Sequence, residues 1–271
     1  MRRIITLCLL FFNIFTLDAQ VKNVFYEKDE NGYILFVLND NFYPVSYSFD
    51  FDTENLTFSE KDKKIFIVPP KSEKYKIGVF GKEQNGKKTR FSYKYVSTMG
   101  DILIEKYDKS YEYDLPFQKG KSFNLFQGYN GTFSHQNENA IDFTMPEGTE
   151  VIAARDGLVV QVVQNNTESC PQEECKKYNN FITMMHSDGT YASYVHIKYN
   201  SVKFKVGDTV KRGDLIASSG NVGWSSGPHL HFVCFLGAFG KRNTLETKFK
   251  IANGHKAVFL QEGESYKRNY E

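Results

Sequence analysis

Of six histidines in the 271-residue chain, four stand at positions 135, 196, 229 and 231, each beside strand-like sequence in the C-terminal half. The densest cluster is Gly227-Pro228-His229-Leu230-His231-Phe232. Side chains two apart on a strand point to the same face, so His229 and His231 project together while Leu230 and Phe232 turn to the core. Two imidazoles on one face suit a metal ion, although such a pair alone also occurs as ordinary surface histidines.

A second element strengthens the reading. His135 follows a turn-rich stretch, Gly128 to Ser134, and Asp142 comes seven residues later within Ala140-Ile141-Asp142-Phe143. A carboxylate between Ile141 and Phe143 occupies a core-strand position, where it is costly unless paired or coordinated, and a cation is its natural partner. Taken singly, Asp142 reads as a buried hydrogen-bonding carboxylate and His135 as a solvated loop residue. Both readings become less economical beside His229-x-His231. In Tyr191-Ala192-Ser193-Tyr194-Val195-His196-Ile197, alternation assigns Ala192, Tyr194 and His196 to one face and Ser193, Val195 and Ile197 to the other. His196 there is either a sheet histidine or a catalytic group near the metal.

These stretches, in this order, resemble the lysostaphin-type zinc metallo-endopeptidases, which cut peptides of bacterial cell-wall peptidoglycan. The likeness is carried by Phe133-Ser134-His135 with Asp142-Phe143, by Pro146 to Thr149 leading into Val151 to Gly157, and by His186-Ser187-Asp188-Gly189-Thr190. It continues through Tyr194-Val195-His196, Val206 to Asp214, Ser218 to Gly223 and Ser226 to Phe232, and covers roughly residues 115 to 240. The resemblance implies one Zn2+ per chain on His135, Asp142 and His231, with His196 and His229 as the catalytic histidines. Three protein ligands leave a position open for water, and the two remaining histidines would move its proton and stabilise the oxyanion. His186 shares a family motif but is expected to be structural, and His255 solvated. Two departures stand out: a longer loop, Gln164 to Asn180, and six residues between His135 and Asp142.

The expected function is an exported zinc endopeptidase hydrolysing peptide bonds in peptidoglycan stem peptides or cross-links. The alternative is a non-catalytic relative of the same fold that binds wall or activates a hydrolase; such relatives usually lack a ligand. A structural or adhesive exported β-protein and a zinc peptidase acting on proteins are further rivals.

The elements that must hold these residues are all β. Residues 20–97 alternate aromatic or aliphatic with polar residues in Tyr33–Leu38, Val45–Phe51, Lys64–Val68, Tyr75–Phe80 and Arg90–Val96, broken by turns such as Asn31-Gly32 and Pro69-Pro70. Strands about every 12 residues predict an Ig-like β-sandwich-type domain. A linker is expected over 98–115, then the peptidase domain over 116–262, an antiparallel β-sheet fold by the resemblance. Leu245–Ile251 and Ala257–Leu260 around Asn253-Gly254 predict a terminal hairpin, followed by a tail over 263–271. No stretch shows a sustained helical period.

Arg2 and Arg3 precede an apolar run from Ile4 to Leu17, then Leu17-Asp18-Ala19. This reads as a secretory signal peptide over 1–19, with Cys8 an ordinary residue of the leader, so the protein is expected in the periplasm or outside the cell. No later run is long and apolar enough for stable membrane insertion. In an oxidising compartment Cys170 and Cys175 are expected to close a small disulfide, the alternative being a second zinc site that lacks a further ligand pair, and Cys234 reads as a buried thiol. Net charge is +2 with 34 basic and 32 acidic residues, without a basic stripe, which gives no reason to invoke nucleic acid. The expected partner is peptidoglycan.

Overall fold

Alternating residues become strands here because each strand has one face to bury. A computed structural model describes residues 23–271; the expected signal peptide at 1–19, with Cys8, lies outside the described residues. Among the described residues only Glu173–Tyr178 and Ala252–Gly254 are helical, both as short 3-10 segments, and no helix is long and apolar enough to cross a membrane.

Residues 24–99 form two antiparallel sheets. Val24–Asp29, Gly32–Asn39, Ser72–Lys82 and Leu56–Phe58 pair in that order in one, and Phe66–Val68, Val45–Glu54 and Arg90–Met99 in the other. They enclose one hydrophobic cluster that includes Leu35, Val37, Tyr47, Phe66 and Phe80. Val24–Asp29 and Leu56–Phe58 are strands that the alternation did not single out.

The second half is built on a nine-stranded antiparallel sheet. Its order is Thr209–Val210, Gly157–Val163, Phe181–Met185, Tyr191–Val195, Leu230–Leu236, Ala140–Phe143, Ser122–Gln127 and Ser265–Lys267, with Asn243–Leu245 paired onto the end of Leu230–Leu236. Directly paired antiparallel residues share a face. One face carries Ile141, Phe143, Tyr194, Leu230 and Phe232 into the main core, closed over by Leu115, Phe117, Ile216 and Phe249 among others. The opposite face carries Asp142, Thr183, Ser193, Val195 and His231 along the floor of a groove. The expected terminal hairpin is present as Lys248–Ile251 paired with Lys256–Phe259.

Two expected connectors carry structure. Within 98–115, Glu112–Tyr113 pairs in parallel with Lys248–Phe249, and Tyr113 and Leu115 are buried. Residues 263–271, read as a tail, supply the edge strand Ser265–Lys267 against Ser122–Asn124. Arg268 is buried, donating to the carbonyls of Leu115 and Phe117 and pairing with Asp114 at 3.3 Å. Strands of two or three residues are too short to show a period.

Candidate active site

Register assembles the site. Leu230–Leu236 lies between Tyr191–Val195 and Ala140–Phe143, so that His231 pairs with Asp142 on one side and Val195 on the other. Residues 89 positions apart are thereby brought to a hydrogen bond, His231 Nδ1 lying 2.9 Å from Asp142 Oδ1. His135, on the loop after Ser122–Gln127, brings its Nε2 to 3.2 Å from Asp142 Oδ2 and 3.2 Å from His231 Nδ1.

One donor atom from each of His135, Asp142 and His231 lies within 4.8 Å of the others, a group able to hold a metal ion. The chemistry fits. Tetrahedral ligands at about 2.0–2.1 Å from an ion stand about 3.3–3.4 Å apart, close to the spacing seen here. The Nδ1 of His135 faces the Gly128 carbonyl at 3.1 Å. A carbonyl only accepts, so that nitrogen carries the hydrogen and Nε2 keeps its lone pair for the group. Burial by itself would raise the Asp142 carboxyl, but hydrogen bonds from His135 and His231 overcome this and hold it well below the usual carboxylate range. It is an anion in the resting site.

Gln127 holds the other side of that anion. Its Nε2 donates to Asp142 Oδ2 at 2.8 Å and to Ser134 Oγ at 2.8 Å, while its Oε1 accepts from Ser134 N at 2.8 Å. One amide thus ties the carboxylate to the loop that carries His135. No sequence signal marks it, since a glutamine ending an apolar run before a glycine resembles any strand end. Gln127→Ala is expected to weaken metal binding about 10- to 100-fold without unfolding the chain. Competition against a metal indicator checks this, and unchanged affinity would remove Gln127 from the role.

His196 and His229 complete the cluster, with ring centroids 4.4 Å apart. Their Nδ1 atoms face carbonyls, Val222 at 2.8 Å and Gly227 at 2.8 Å, so both rings present an unprotonated Nε2 to the groove. Ser225 Oγ, a further partner the sequence reading did not include, lies 3.2 Å from His229 Nδ1. The Nε2 of His229 reaches to 4.0 Å from Asp142 Oδ1, beyond hydrogen-bonding distance. Burial, followed by the neighbouring His229 and His231, pushes His196 down to about 3, and the ring is neutral at ordinary pH.

The expected face of His196 is corrected. Simple alternation sends it with Ala192 and Tyr194 into the core, but the strand ends at Val195 and His196 sits at φ +64°. That left-handed turn swings the ring onto the groove face beside Val195. It costs about 1–3 kcal/mol for a residue with a Cβ, the kind of strain that accumulates at functional sites.

The long loop Gln164 to Asn180 forms a groove wall. Cys170 and Cys175 are joined by the expected disulfide, and Ser169–Cys170 pairs in parallel with Gly223–Trp224. Gly223 is required at φ +87°, because a Cβ there would stand 2.0 Å from Asn179 Oδ1. This close approach seats the segment whose Val222 carbonyl orients His196. Cys234 is a buried free thiol, with Tyr113 OH 3.3 Å from its sulfur. His255 is exposed.

His186 stands away from the groove. Its Nδ1 donates to the Asp156 carbonyl at 2.7 Å, and its buried Nε2 has no hydrogen-bond partner. Burial pushes it down to about 4. Below about pH 6.5 the unfolded chain takes up a proton that the folded chain refuses until about pH 4, so stability falls with pH through that window. At about 1.4 kcal/mol per pH unit the loss is roughly 3 kcal/mol. His186→Asn, which keeps a donor for Asp156, is expected to flatten the fall in Tm between pH 7 and pH 4.5. Equal slopes for variant and wild type would contradict this.

Residues 136–238 match the model of Peptidase family M23, and the chain carries a domain of that family. Asp142, His196, His229 and His231 lie within the matched stretch, which begins one residue after His135. The chain is similar to the Glycyl-glycine endopeptidase ALE-1 of Staphylococcus capitis, 34% identical over 125 residues, 45% of this chain and 30% of that protein. It is also similar to the Peptidoglycan DD-endopeptidase ShyA of Vibrio cholerae, 30% identical over 138 residues, 51% of this chain and 29% of that protein. An uncharacterized metalloprotease of Buchnera aphidicola is 38% identical over 96 residues, 35% of this chain and 22% of that protein. The chain thus spans less than a third of the length of each. Among solved structures, the catalytic domain of the antimicrobial peptidase lysostaphin from Staphylococcus simulans is 30% identical, covers 44% of this chain and 83% of its own, and has a TM-score of 0.33.

Proposed function

We propose that this domain of Peptidase family M23 makes the chain an exported zinc-dependent endopeptidase, hydrolysing peptide bonds in the stem peptides or cross-links of bacterial peptidoglycan. The observation that carries this reading is the meeting, in one groove, of a three-donor group with two further imidazoles whose Nε2 atoms are free. The names of ShyA, a peptidoglycan DD-endopeptidase, and of ALE-1, a glycyl-glycine endopeptidase, support the substrate class.

In this reading His135, Asp142 and His231 would hold the zinc. When bound, the ion supplies Lewis acidity and eases deprotonation of water. The remaining chemistry belongs to His196 and His229. The water oxygen bonds to the scissile carbonyl carbon as its proton passes to an imidazole Nε2, and that N–H then protonates the leaving amine as the C–N bond breaks. The second imidazole stands beside the oxyanion. The carbonyls of Val222 and Gly227 keep both rings from rotating away, holding the proton acceptors in place before substrate arrives. The filled donor set also argues against the alternative of a non-catalytic wall-binding relative.

The test is metal analysis of the full chain together with digestion of purified peptidoglycan. About one zinc per chain is expected, with release of soluble wall fragments that stops on chelation and returns with zinc. Protein that releases fragments equally well after complete removal of metal would overturn the reading.

A further inference from the structure

The groove, about 570 Å³, has two unlike ends. From the metal-binding group it runs over Ser193 and Thr183 toward Phe235 and stops at Thr98 and Met99, the last residues but one and last of the strand Arg90–Met99. The stop is a packed contact between the two halves of the chain. A Cβ on Gly237 would stand 1.9 Å from the Met99 carbonyl oxygen, so only glycine permits the approach. The hydroxyl of Thr98 donates to the Ala238 carbonyl at 3.0 Å. Behind this contact Phe42, Tyr43 and Met99 pack on Tyr191, Phe235 and Met185 at the far end of the sheet.

At the other end the groove stays open. Phe126, Phe133 and Ser226 line both it and an adjoining cavity of about 320 Å³. Phe133 is 68% exposed and Phe126 40%, so an apolar surface is offered to whatever leaves the groove on that side.

The floor on the closed side is the strand from His231 to Phe235. At about 3.4 Å per residue, those four steps give about 14 Å, room for about four residues of extended peptide between the reacting bond and the wall.

We propose that the N-terminal half sets the reach of the substrate: one arm of the cleaved peptide is a short free end of at most about four residues, seated against Thr98 and Met99. The other arm leaves over Phe126 and Phe133 and is unrestricted in length. The substrate class is then a peptide cut near one end, as in a short stem, and not the middle of a long polypeptide. This rests on the endopeptidase reading given above.

The test uses the full-length, zinc-loaded protein. Mass analysis of digested peptidoglycan identifies the bond cut, and synthetic peptides built around that bond carry two to ten residues on each side. Lengthening one arm beyond about four residues is expected to lower kcat/KM at least tenfold, while lengthening the other is not. Met99→Ala, which trims the wall, is expected to narrow the ratio between four- and five-residue arms. If both arms accept ten residues with equal kcat/KM, the reach limit is wrong and the endopeptidase reading stands. Cleavage of peptidoglycan with every short-armed peptide refused overturns the limit as well. If neither peptidoglycan nor any peptide is cut, the endopeptidase reading fails, and the limit with it.

Discussion

Replacing His231 by alanine is expected to leave a folded protein that no longer retains one metal ion per chain and loses at least about 10⁴-fold of its peptidoglycan hydrolysis, the scale seen when a central catalytic group is removed. His231 touches both other members of the group, Asp142 Oδ1 at 2.9 Å and His135 Nε2 at 3.2 Å. Its loss leaves two donors, too few for a closed site with one open position. The strand itself should survive, because its neighbours Leu230 and Phe232 remain in the core. Metal analysis, circular dichroism and fragment release on the same sample check the three parts. A variant with wild-type metal content would show that His231 is not a ligand.

His196→Ala and His229→Ala are expected to fail differently, keeping the metal and losing about 10²- to 10⁴-fold in kcat, the usual worth of a positioned acid or base. His229 Nε2 stands 4.0 Å from Asp142 Oδ1, and His196 is hydrogen-bonded to the Val222 carbonyl. Neither ring is needed to complete the three donors. The double variant should cost little more than the worse single one, since groups acting in one step are not additive. Metal content fixed against kcat measured on a defined peptide separates the two classes of histidine. Loss of metal in either single variant would move that residue into the ligand set.

The fold was legible where hydrophobic period is long and obscure where it is short. Strands such as Tyr191–Val195 and Leu230–Leu236 announce themselves as short apolar runs, and the hairpin by its Asn253-Gly254 turn. The edge strand Ser265–Lys267 and the pairing of Glu112–Tyr113 do not, because two or three residues carry no period and are held by partners far along the chain. At the site, residue types and spacing singled out His135, Asp142, His229 and His231 as candidates and left His196 open, the family resemblance supplied the set of five, and the fold places all five in one groove. What escaped was the support around them. Gln127 acts through a side-chain amide onto Asp142, and the carbonyls of Gly128, Val222 and Gly227 act as backbone, which sequence identity does not mark. His196 shows the limit most clearly: its face depends on one left-handed φ, which a strand pattern has no means to express.

The contact between the two halves was equally hidden. Gly237 and Gly100 look like ordinary turn glycines, yet a Cβ on the first would strike the Met99 carbonyl and on the second would crowd the Tyr191 ring at 3.1 Å. Small residues are set there by what approaches from far away in sequence.

The most direct measurement is mass analysis of the fragments released from purified peptidoglycan by zinc-loaded wild type and by His231→Ala at equal protein. The account predicts a defined set of new peptide ends from the wild type, carrying one added water per bond cut, and none above background from the variant. The same ends at the same rate from both proteins would contradict it.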